Sequence, residues 1–532
     1  MSSSHRRYAA YQPGRAVRWL LLGLFLLAFV WPLTNLFWSL GDVNVLRILK
    51  SRPVLKALTN SLWVSSCATV IAVTLGGLLA WGIVRTQIAG KRIFEAIFVI
   101  PMLIPSLSHG MGLILLFGAN GIVTKTLGWE GSIYGFWGIV IGSVLYALPV
   151  AFLMIADLLK YESRAHYEAA DVLGIPRSSQ FIHLTLPYLA KPMIGVIFAI
   201  FTLVVTDYGV PLMIGGKFTT LPVLMYQETI GLLNFGKGAV IGSLLLVPAV
   251  LAFVLELGTR QSRAEGQTVR IGDRAHSQWF EGLMTALCSA VSLFILMPIL
   301  AFVFLSIVSK YPIDLSVSLA HIEQALNLNA MTYLGHSLWI SFLVAVVGVI
   351  CATAAAYFSS RTSSKLGRLV HFIALVTLTV PGMVLGLSYV LAFNSTFIYG
   401  TLAILVLVNI MHFFATPYLM MCNSFGKLNE HLEAVGDTLG ISRWRLFLDV
   451  LLPQTRATQV EMFVYFFVNS MVTISAVSFL ATVANKPLSL MINQFEAQMM
   501  IECSAFVSVL ILVVNLLVKS GAQYFKAKKG AY

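Results

Sequence analysis

Charge is what this chain of 532 residues has least of. Only 11% of its residues are Asp, Glu, Lys or Arg, whereas 58% are hydrophobic and the mean hydropathy is +0.86. Soluble globular domains carry about 25% charged residues, so the composition excludes a soluble protein.

Three kinds of chemical site are also missing. No Gly-x-x-x-x-Gly-Lys-Ser/Thr segment occurs, so the chain has no phosphate-binding loop of the type that cradles ATP. The five cysteines form no Cys-x-x-Cys pair, and no set of His, Asp and Glu has the spacing of metal ligands. We therefore predict no catalytic residues, no metal site, no disulfide framework and no cofactor held by this chain.

Long apolar runs recur along the whole sequence, and each is long enough to cross roughly 30 Å of hydrocarbon. We predict an all-α polytopic membrane protein with about twelve transmembrane helices. The predicted spans are 19–40, 58–83, 93–118, 132–158, 192–213, 237–258, 280–309, 333–358, 368–393, 397–421, 457–481 and 500–521.

The basic residues give an orientation. They lie mainly in the N-terminal tail, the loop after the second span, the connection 259–278 and the C-terminal tail. With twelve spans these regions share one side, which the positive-inside rule makes cytoplasmic, together with both termini. The net charge of +13 is therefore a topology signal, and because the charges form no single face we predict no nucleic-acid partner. The basic loop at 41–56 departs from this pattern, and we interpret it as an amphipathic segment on the outer interface.

The sequence is an internal duplication. NSLWVSS at 60–66 matches HSLWISF at 336–342, and Arg85-Thr86 matches Arg361-Thr362, at an offset of 276 residues. Two polar islands, 162–187 and 428–453, match at an offset of 266. Because each copy has six spans, we predict two parallel six-helix repeats. Their boundaries are 1–258 for the first repeat, 259–278 for a cytoplasmic linker and 279–532 for the second repeat.

Each island is predicted to form a short helix, a glycine turn and a second helix between two spans. Gly174 and Gly440 are placed to end the first helix in a left-handed conformation. A hairpin that merely links two spans is the alternative for a single copy. Two copies in register, each between the fourth and fifth spans of its repeat, favour a functional role instead.

Both islands resemble the EAA signature of the permease subunits of ABC importers. They read EAADVLGIPRSSQFIHLTLP at 168–187 and AVGDTLGISRWRLFLDVLLP at 434–453. In that family the first helix couples to a cytoplasmic ATPase subunit. The resemblance carries this coupling role to Glu168, Ala169, Ala170, Gly174, Pro187, Val435, Gly436, Gly440 and Pro453. The second copy departs from the signature, because Ala434 occupies the Glu position and Glu433 lies one residue early.

The resemblance also implies partners and a location. ATP would be used by a separate ABC ATPase, most simply a homodimer, and substrate would arrive on a periplasmic or lipoprotein binding protein. The chain itself would be a non-enzymatic translocation subunit, surrounded by lipid in a bacterial inner membrane. Fused permeases of about this length resemble the importers of ferric iron, of 2-aminoethylphosphonate and of thiamine. Among these substrates we expect ferric iron. A secondary transporter and a membrane assembly factor are the other classes considered.

Two ionisable residues within the spans are candidates for the translocation pathway. Asp207 ends the fifth span, where the second repeat has Thr473. A polar group lining the pathway and a locally paired helix-end carboxylate are equally open interpretations. His109 follows Pro105 in a segment rich in Gly, which suggests an interrupted helix. A satisfied interior histidine is the alternative for His109.

The charge pattern yields a topology prediction. Reporter fusions at Arg263 and at the C-terminus should both give a cytoplasmic signal, because both positions lie in basic segments. Alkaline phosphatase and green fluorescent protein fusions, which are active on opposite sides of the membrane, measure this. An external signal at either position would contradict the twelve-span topology.

Overall fold

The computed structural model describes residues 15–128, 131–160, 164–259, 278–362, 364–429 and 431–528. The helices of the first half are α1 (Arg15–Phe25), α2 (Trp31–Trp38), α3 (Val45–Leu49), α4 (Arg52–Arg85), α5 (Lys91–Val99), α6 (Ser106–Phe117), α7 (Ile122–Leu127), α8 (Phe136–Lys160), α9 (Arg164–Val172), α10 (Arg177–Gln180), α11 (Leu186–Val205), α12 (Gly209–Ile214), α13 (Leu221–Tyr226) and α14 (Phe235–Thr259).

The helices of the second half are α15 (Gln278–Leu305), α16 (Ala320–Asn327), α17 (Ala330–Ser360), α18 (Lys365–Val376), α19 (Gly382–Phe393), α20 (Leu402–Phe413), α21 (Ala415–Gly426), α22 (Leu432–Thr438), α23 (Arg443–Leu446), α24 (Leu452–Gln454), α25 (Arg456–Val472), α26 (Ser489–Ala497) and α27 (Ile501–Lys528). One antiparallel hairpin, β1 (Val308–Lys310) and β2 (Asp314–Val317), was not predicted from the sequence. The regular structure of the described residues is otherwise all-α.

The predicted membrane spans coincide with helices, but not all of them are single long rods. Among the described residues, eight helices are long and apolar enough to cross a membrane, and two bent pairs raise the number to ten. The predicted sixth span falls on α14, whose apolar described part is the shorter segment Phe235–Leu251. The predicted eleventh span, 457–481, was too long, because α25 already ends at Val472.

The third span of each repeat is broken at the same proline. In the first repeat α5 ends at Val99 and α6 begins at Ser106, with Pro105 extended between them. In the second repeat α18 and α19 meet at Pro381 and are bent by 111°. Proline has no amide hydrogen to donate and clashes with the preceding turn, so the chain changes direction there. The interruption predicted near Pro105 is thus confirmed, whereas the single span 93–118 was wrong.

The fifth span also stops early in both repeats. Helix α11 ends at Val205 and α25 ends at Val472, so Asp207 and Thr473 lie at matching breaks. After the first break the short helix α12 continues; after the second the chain is irregular until α26. The predicted span 192–213 is therefore a long helix, a break at 206–208 and a separate helical turn.

Wide π turns precede three prolines. Residues 26–30, 181–185 and 447–451 form such turns, and each is closed by the amide of the residue before the proline. Leu186 donates to the carbonyl of Phe181, and Leu452 donates to that of Phe447. The extra residue in the turn moves the carbonyl that the proline ring would otherwise meet. The helices entering the membrane after the islands thus tolerate Pro187 and Pro453.

The described residues pack into two compact units that interleave along the sequence. One unit consists of Met1–Ser39, Thr332–Pro487 and Val513–Tyr532, and the other of Leu40–Met331 and Leu488–Leu512. In the first of these units, Phe25 packs edge-on against Phe414 at 4.9 Å, and the Tyr389 hydroxyl donates to the carbonyl of Ala28. The units reflect packing, whereas the boundaries 1–258, 259–278 and 279–532 reflect duplication and stay predictions. Nearly all of the predicted linker lies outside the described residues.

The long helices α4 and α8 form the most extensive helix pair, and small residues bring them together. A Cβ atom on Gly76 would lie 2.9 Å from Ala151 Cβ and 3.0 Å from the Phe152 amide nitrogen. A Cβ atom on the neighbouring Gly77 would meet only Ile155 Cδ1, at 3.8 Å. Close approach through glycine is a usual way for membrane helices to gain packing contacts.

This contact can be tested with neighbouring residues. We expect Gly76→Leu to destabilise the folded protein by about 1–3 kcal/mol, because the side chain must displace backbone. Gly77→Leu, which points into more open space, serves as the matched control. Thermal unfolding of the detergent-solubilised chain measures both, and equal losses would contradict the packing described.

Candidate coupling site

The first island folds as the sequence predicts. Helix α9 ends at a left-handed Gly174 with φ +68°. The amide of Ile175 donates to the carbonyl of Ala170 at 2.9 Å, and the amide of Gly174 donates to that of Asp171 at 3.1 Å. These paired bonds form a Schellman motif, which satisfies the last carbonyls of a helix and turns the chain. Pro176 then precedes the short helix α10.

The second island repeats the same backbone geometry. Gly440 has φ +70°, the amide of Ile441 donates to the carbonyl of Gly436 at 2.9 Å, and the amide of Gly440 donates to that of Asp437 at 3.3 Å. Neither Gly174 nor Gly440 would bring a Cβ atom within 4 Å of another group. The left-handed conformation, not crowding within the chain, is therefore the reason for glycine at these turns.

The side chains that brace the two turns differ. In the first island Gln180 donates to Asp171 at 2.7 Å and to the carbonyl of Ile175 at 2.9 Å. In the second, Arg443 donates to Asp437 at 3.0 Å. This hydrogen bond to Asp437 raises the pKa of the Arg443 guanidinium. The matching aspartates thus hold the second helix of each island against its turn by different chemistry.

The predicted coupling residues divide into inward and outward groups. Ala170 and Gly436, at equivalent positions, are buried, and Pro453 is half-buried. Exposed are Glu168, Ala169, Gly174, Pro187, Val435 and Gly440.

Large apolar side chains near the turns are exposed with them. Val172 is 87% exposed, Leu173 75%, Leu439 68% and Trp444 59%. Outside a bilayer, such clustered apolar groups are typical of a surface that binds another protein.

An aromatic pair connects each island to the second span of its repeat. Trp81 meets Phe181 edge-on, with ring centroids 5.2 Å apart, and Tyr357 meets Phe447 at 4.9 Å. Trp81 and Tyr357 are related by the offset of 276, and Phe181 and Phe447 by the offset of 266. Both repeats therefore have this aromatic contact, with Trp on the second span in the first repeat and Tyr in the second.

Arg361, which directly follows α17, makes an extensive polar contact with the second island. Its Nε and Nη2 atoms donate to the two carboxylate oxygens of Glu433 at 2.7 and 2.6 Å. Nη1 donates to the carbonyl of Leu428 at 3.2 Å, and Nη2 also donates to that of Asn429 at 2.8 Å. The Arg361 side chain is only 7% exposed and that of Glu433 14%. A bidentate, charge-assisted pair with little solvent is a strong and geometrically specific contact.

Arg85, at the end of α4, occupies the equivalent place in the first repeat. Its guanidinium lies over the Tyr167 ring, 5.3 Å from the centroid. Tyr167 and Glu433 are related by the offset of 266, so the same two positions meet in both repeats. The Tyr167 hydroxyl in turn forms a hydrogen bond with Thr185 in the π turn.

Asp207 and His109 lie in the same compact unit, both buried. The carboxylate of Asp207 accepts hydrogen bonds from the amides of Val210 at 3.0 Å and Gly209 at 3.3 Å, and from the hydroxyl of Ser106. His109 lies on α6 with its ring centroid 5.9 Å from that of Tyr146, and its Nε2 atom has no hydrogen-bond partner among the described residues. Asp207 therefore has the local partners of a helix-end carboxylate, whereas His109 retains an unused polar atom.

Sequence reasoning missed Trp81, Tyr357, Tyr167 and Glu433 as parts of the site. The sequence showed that Arg85 matches Arg361. It did not show which residues these arginines contact or that both lie beside an island. A signal was present, since positions that match across a duplication and flank the islands are candidates for contact with them. Among the described residues no group of three or more His, Cys, Asp or Glu side chains is arranged to hold a metal ion.

Comparison with known proteins gives matches over both repeats. The profile of the binding-protein-dependent transport system inner membrane component matches residues 72–257 and 345–530. A ferric transport system permease protein of Actinobacillus pleuropneumoniae is 24% identical over 531 residues, covering 94% of this chain and 77% of the relative. An Fe(3+)-transport system permease protein of Haemophilus influenzae is 22% identical over 98% of this chain and 100% of its own length. A thiamine transport system permease protein of Escherichia coli is 22% identical over 81% of both chains.

Proposed function

Because the chain belongs to the family of inner-membrane components of binding-protein-dependent transport systems, we propose that it forms the translocation pathway of an ATP-driven importer of ferric iron. Its two islands are the coupling surfaces for a cytoplasmic ABC ATPase, most simply a homodimer. A periplasmic or lipoprotein binding protein delivers the substrate from the other side. Both termini and both islands are cytoplasmic in this proposal.

The observation that carries the coupling role is the repeated island geometry. Two segments separated by 266 positions fold with the same Schellman turn, at Gly174 and at Gly440. Each presents exposed apolar side chains beside that turn, including Leu173 and Leu439. Two equivalent surfaces on one chain fit two copies of one partner subunit, since each copy can bind the same backbone shape.

Relatives support ferric iron as the substrate. Two of them are named ferric or Fe(3+) transport permeases and cover 94% and 98% of this chain. A thiamine permease at similar identity is the alternative that the comparisons also favour. Titration of the binding protein that accompanies this permease with ferric iron and with thiamine discriminates between the two substrates.

For the pathway we propose Asp207 and His109 as polar lining groups. Both belong to the first repeat alone, because Thr473 and Leu385 occupy the matching positions. Ionisable residues inside membrane proteins are usually retained for transport or for a partner, because burying them is costly. The unused Nε2 atom of His109 supports this role, and the local hydrogen bonds of Asp207 hold its carboxylate in a fixed orientation.

The coupling proposal predicts a graded response at the island turns. Gly174→Val and Gly440→Val should abolish transport while the protein still inserts, because a β-branched residue rarely adopts φ near +70°. Gly174→Asn and Gly440→Asn are the controls, since Asn tolerates this conformation. The Gly174 change is expected to weaken binding of the ATPase more than the Gly440 change, because the first island matches the signature better. Co-purification of the ATPase and uptake measure the effect; normal binding and uptake in the double Val variant would overturn the assignment.

The pathway proposal predicts an effect of charge. Asp207→Asn should lower uptake of a cationic substrate without loss of the ATPase, because a carboxylate in the path attracts cations. Uptake of an anionic solute should be unaffected or improved. Ser106→Ala removes one hydrogen bond to Asp207 but keeps the charge, and serves as the control. If Asp207→Asn leaves the uptake of ferric iron and thiamine unchanged, Asp207 is a local helix-end residue only.

A further inference from the structure

The contact between Arg361 and the second island lies within this chain and attaches the island to a membrane helix. We propose that Arg361 is a positioning residue that fixes this island to the second span of its repeat, so that a displacement of the island is transmitted to α17. This inference rests on the proposed function, because it assigns how the coupling surface acts on the membrane helices.

Arg361 joins three elements that are separate in the sequence. Its backbone directly follows α17, its guanidinium reaches the carbonyls of Leu428 and Asn429 just after α21, and it binds Glu433 in the first turn of α22. We call these four residues the arginine clamp. Because Leu428 and Asn429 come directly after the C-terminal end of α21, the positive guanidinium also interacts favourably with the negative end of the dipole of this helix.

Geometry explains why arginine is needed. The planar guanidinium offers donors in several directions at once, which lets one side chain bind both carboxylate oxygens and two carbonyls. A lysine at this position carries the same charge on a single nitrogen and cannot span all four acceptors. Since both partners are largely buried, removal of one leaves the other charge without compensation in a poorly solvated place.

The rest of the surroundings stiffen the same link. Tyr357, one turn before Arg361 on α17, packs on Phe447 in the second half of the island. Trp444 stacks on the same ring at a centroid distance of 5.7 Å. The island is thus attached to α17 at its first helix through charge and at its second helix through aromatic contact. A surface held at both ends moves with the helix as one body.

The first repeat brings the same positions together through different contacts. Arg85 lies over Tyr167, and Trp81 meets Phe181, where the second repeat has the Arg361–Glu433 pair and the Tyr357–Phe447 contact. The displaced acidic residue of the second island therefore has a structural role. Glu433 lies one position before the Glu of the signature, where it reaches Arg361, while Glu168 of the first island is exposed.

The experiment compares two Glu→Gln variants of the full chain. Glu433→Gln removes the charge from the clamp, whereas Glu461→Gln removes the charge from an ion pair with Lys526 that is not part of any island. Hydrogen exchange of the amides of Leu432–Thr438 is measured in detergent, without any partner. We expect roughly tenfold faster exchange in Glu433→Gln and no change in Glu461→Gln. Equal exchange in both variants would overturn the proposal.

A second measurement uses the transporter assembled in proteoliposomes with its ATPase and ferric-loaded binding protein. Glu433→Gln and Arg361→Gln should keep the ATPase bound and hydrolysing ATP, but transport about tenfold less iron per ATP. Arg361→Lys should fall between these variants and the wild type. A merely destabilised chain would lose ATP hydrolysis and transport in proportion, and that result would overturn the positioning role. Failure of the wild-type chain to bind an ATPase would instead contradict the proposed function, while the exchange result still decides whether the clamp holds the island.

Discussion

A backbone amide or carbonyl without a partner is costly in hydrocarbon, and this constraint shapes the whole protein. Long helices satisfy it in the spans. Some prolines lie where the helical hydrogen bonds are rearranged: the helix is interrupted at Pro105 and Pro381, and a wide turn precedes Pro187 and Pro453. At the break after α11, the buried carboxylate of Asp207 accepts hydrogen bonds from the amides of Gly209 and Val210. In these irregular segments, side chains or altered turns replace the backbone hydrogen bonds of a regular helix.

The two repeats place equivalent positions in contact, but the residue types at those positions differ. Both repeats have the turn glycines, the π turns before Pro187 and Pro453, and an arginine at the C-terminal end of the second span. Their partners have diverged: Tyr167 faces Arg85 where Glu433 faces Arg361. A cation over an aromatic ring and a buried bidentate ion pair can fill the same space but differ in strength and in sensitivity to water. The two halves have the same backbone frame for attaching an island, and each has its own means of holding it.

The sequence was sufficient for the fold class, the islands and their turns because these depend on local signals. Hydropathy identifies helices in a membrane, and a glycine before Ile-Pro or Ile-Ser predicts a helix end. Three features escaped it. The early end of α25 at Val472 lies within an apolar stretch, where hydropathy gives no warning. The hairpin of β1 and β2 has too few residues for a periodic pattern. The contact between Arg361 and Glu433 joins residues 72 positions apart, and only the three-dimensional structure brings them together.

The packing of the first predicted span has a consequence for synthesis. The carbonyl of Ala28 accepts its hydrogen bond from Tyr389, 361 residues later in the chain. At roughly 5–20 residues per second, a ribosome needs on the order of tens of seconds to reach that tyrosine. During this interval the first helix has been synthesised, but Tyr389 and Phe414, which contact Ala28 and Phe25, have not. The contacts of Phe25 and Ala28 with Phe414 and Tyr389 can therefore form only late in synthesis, after most of the chain has been made.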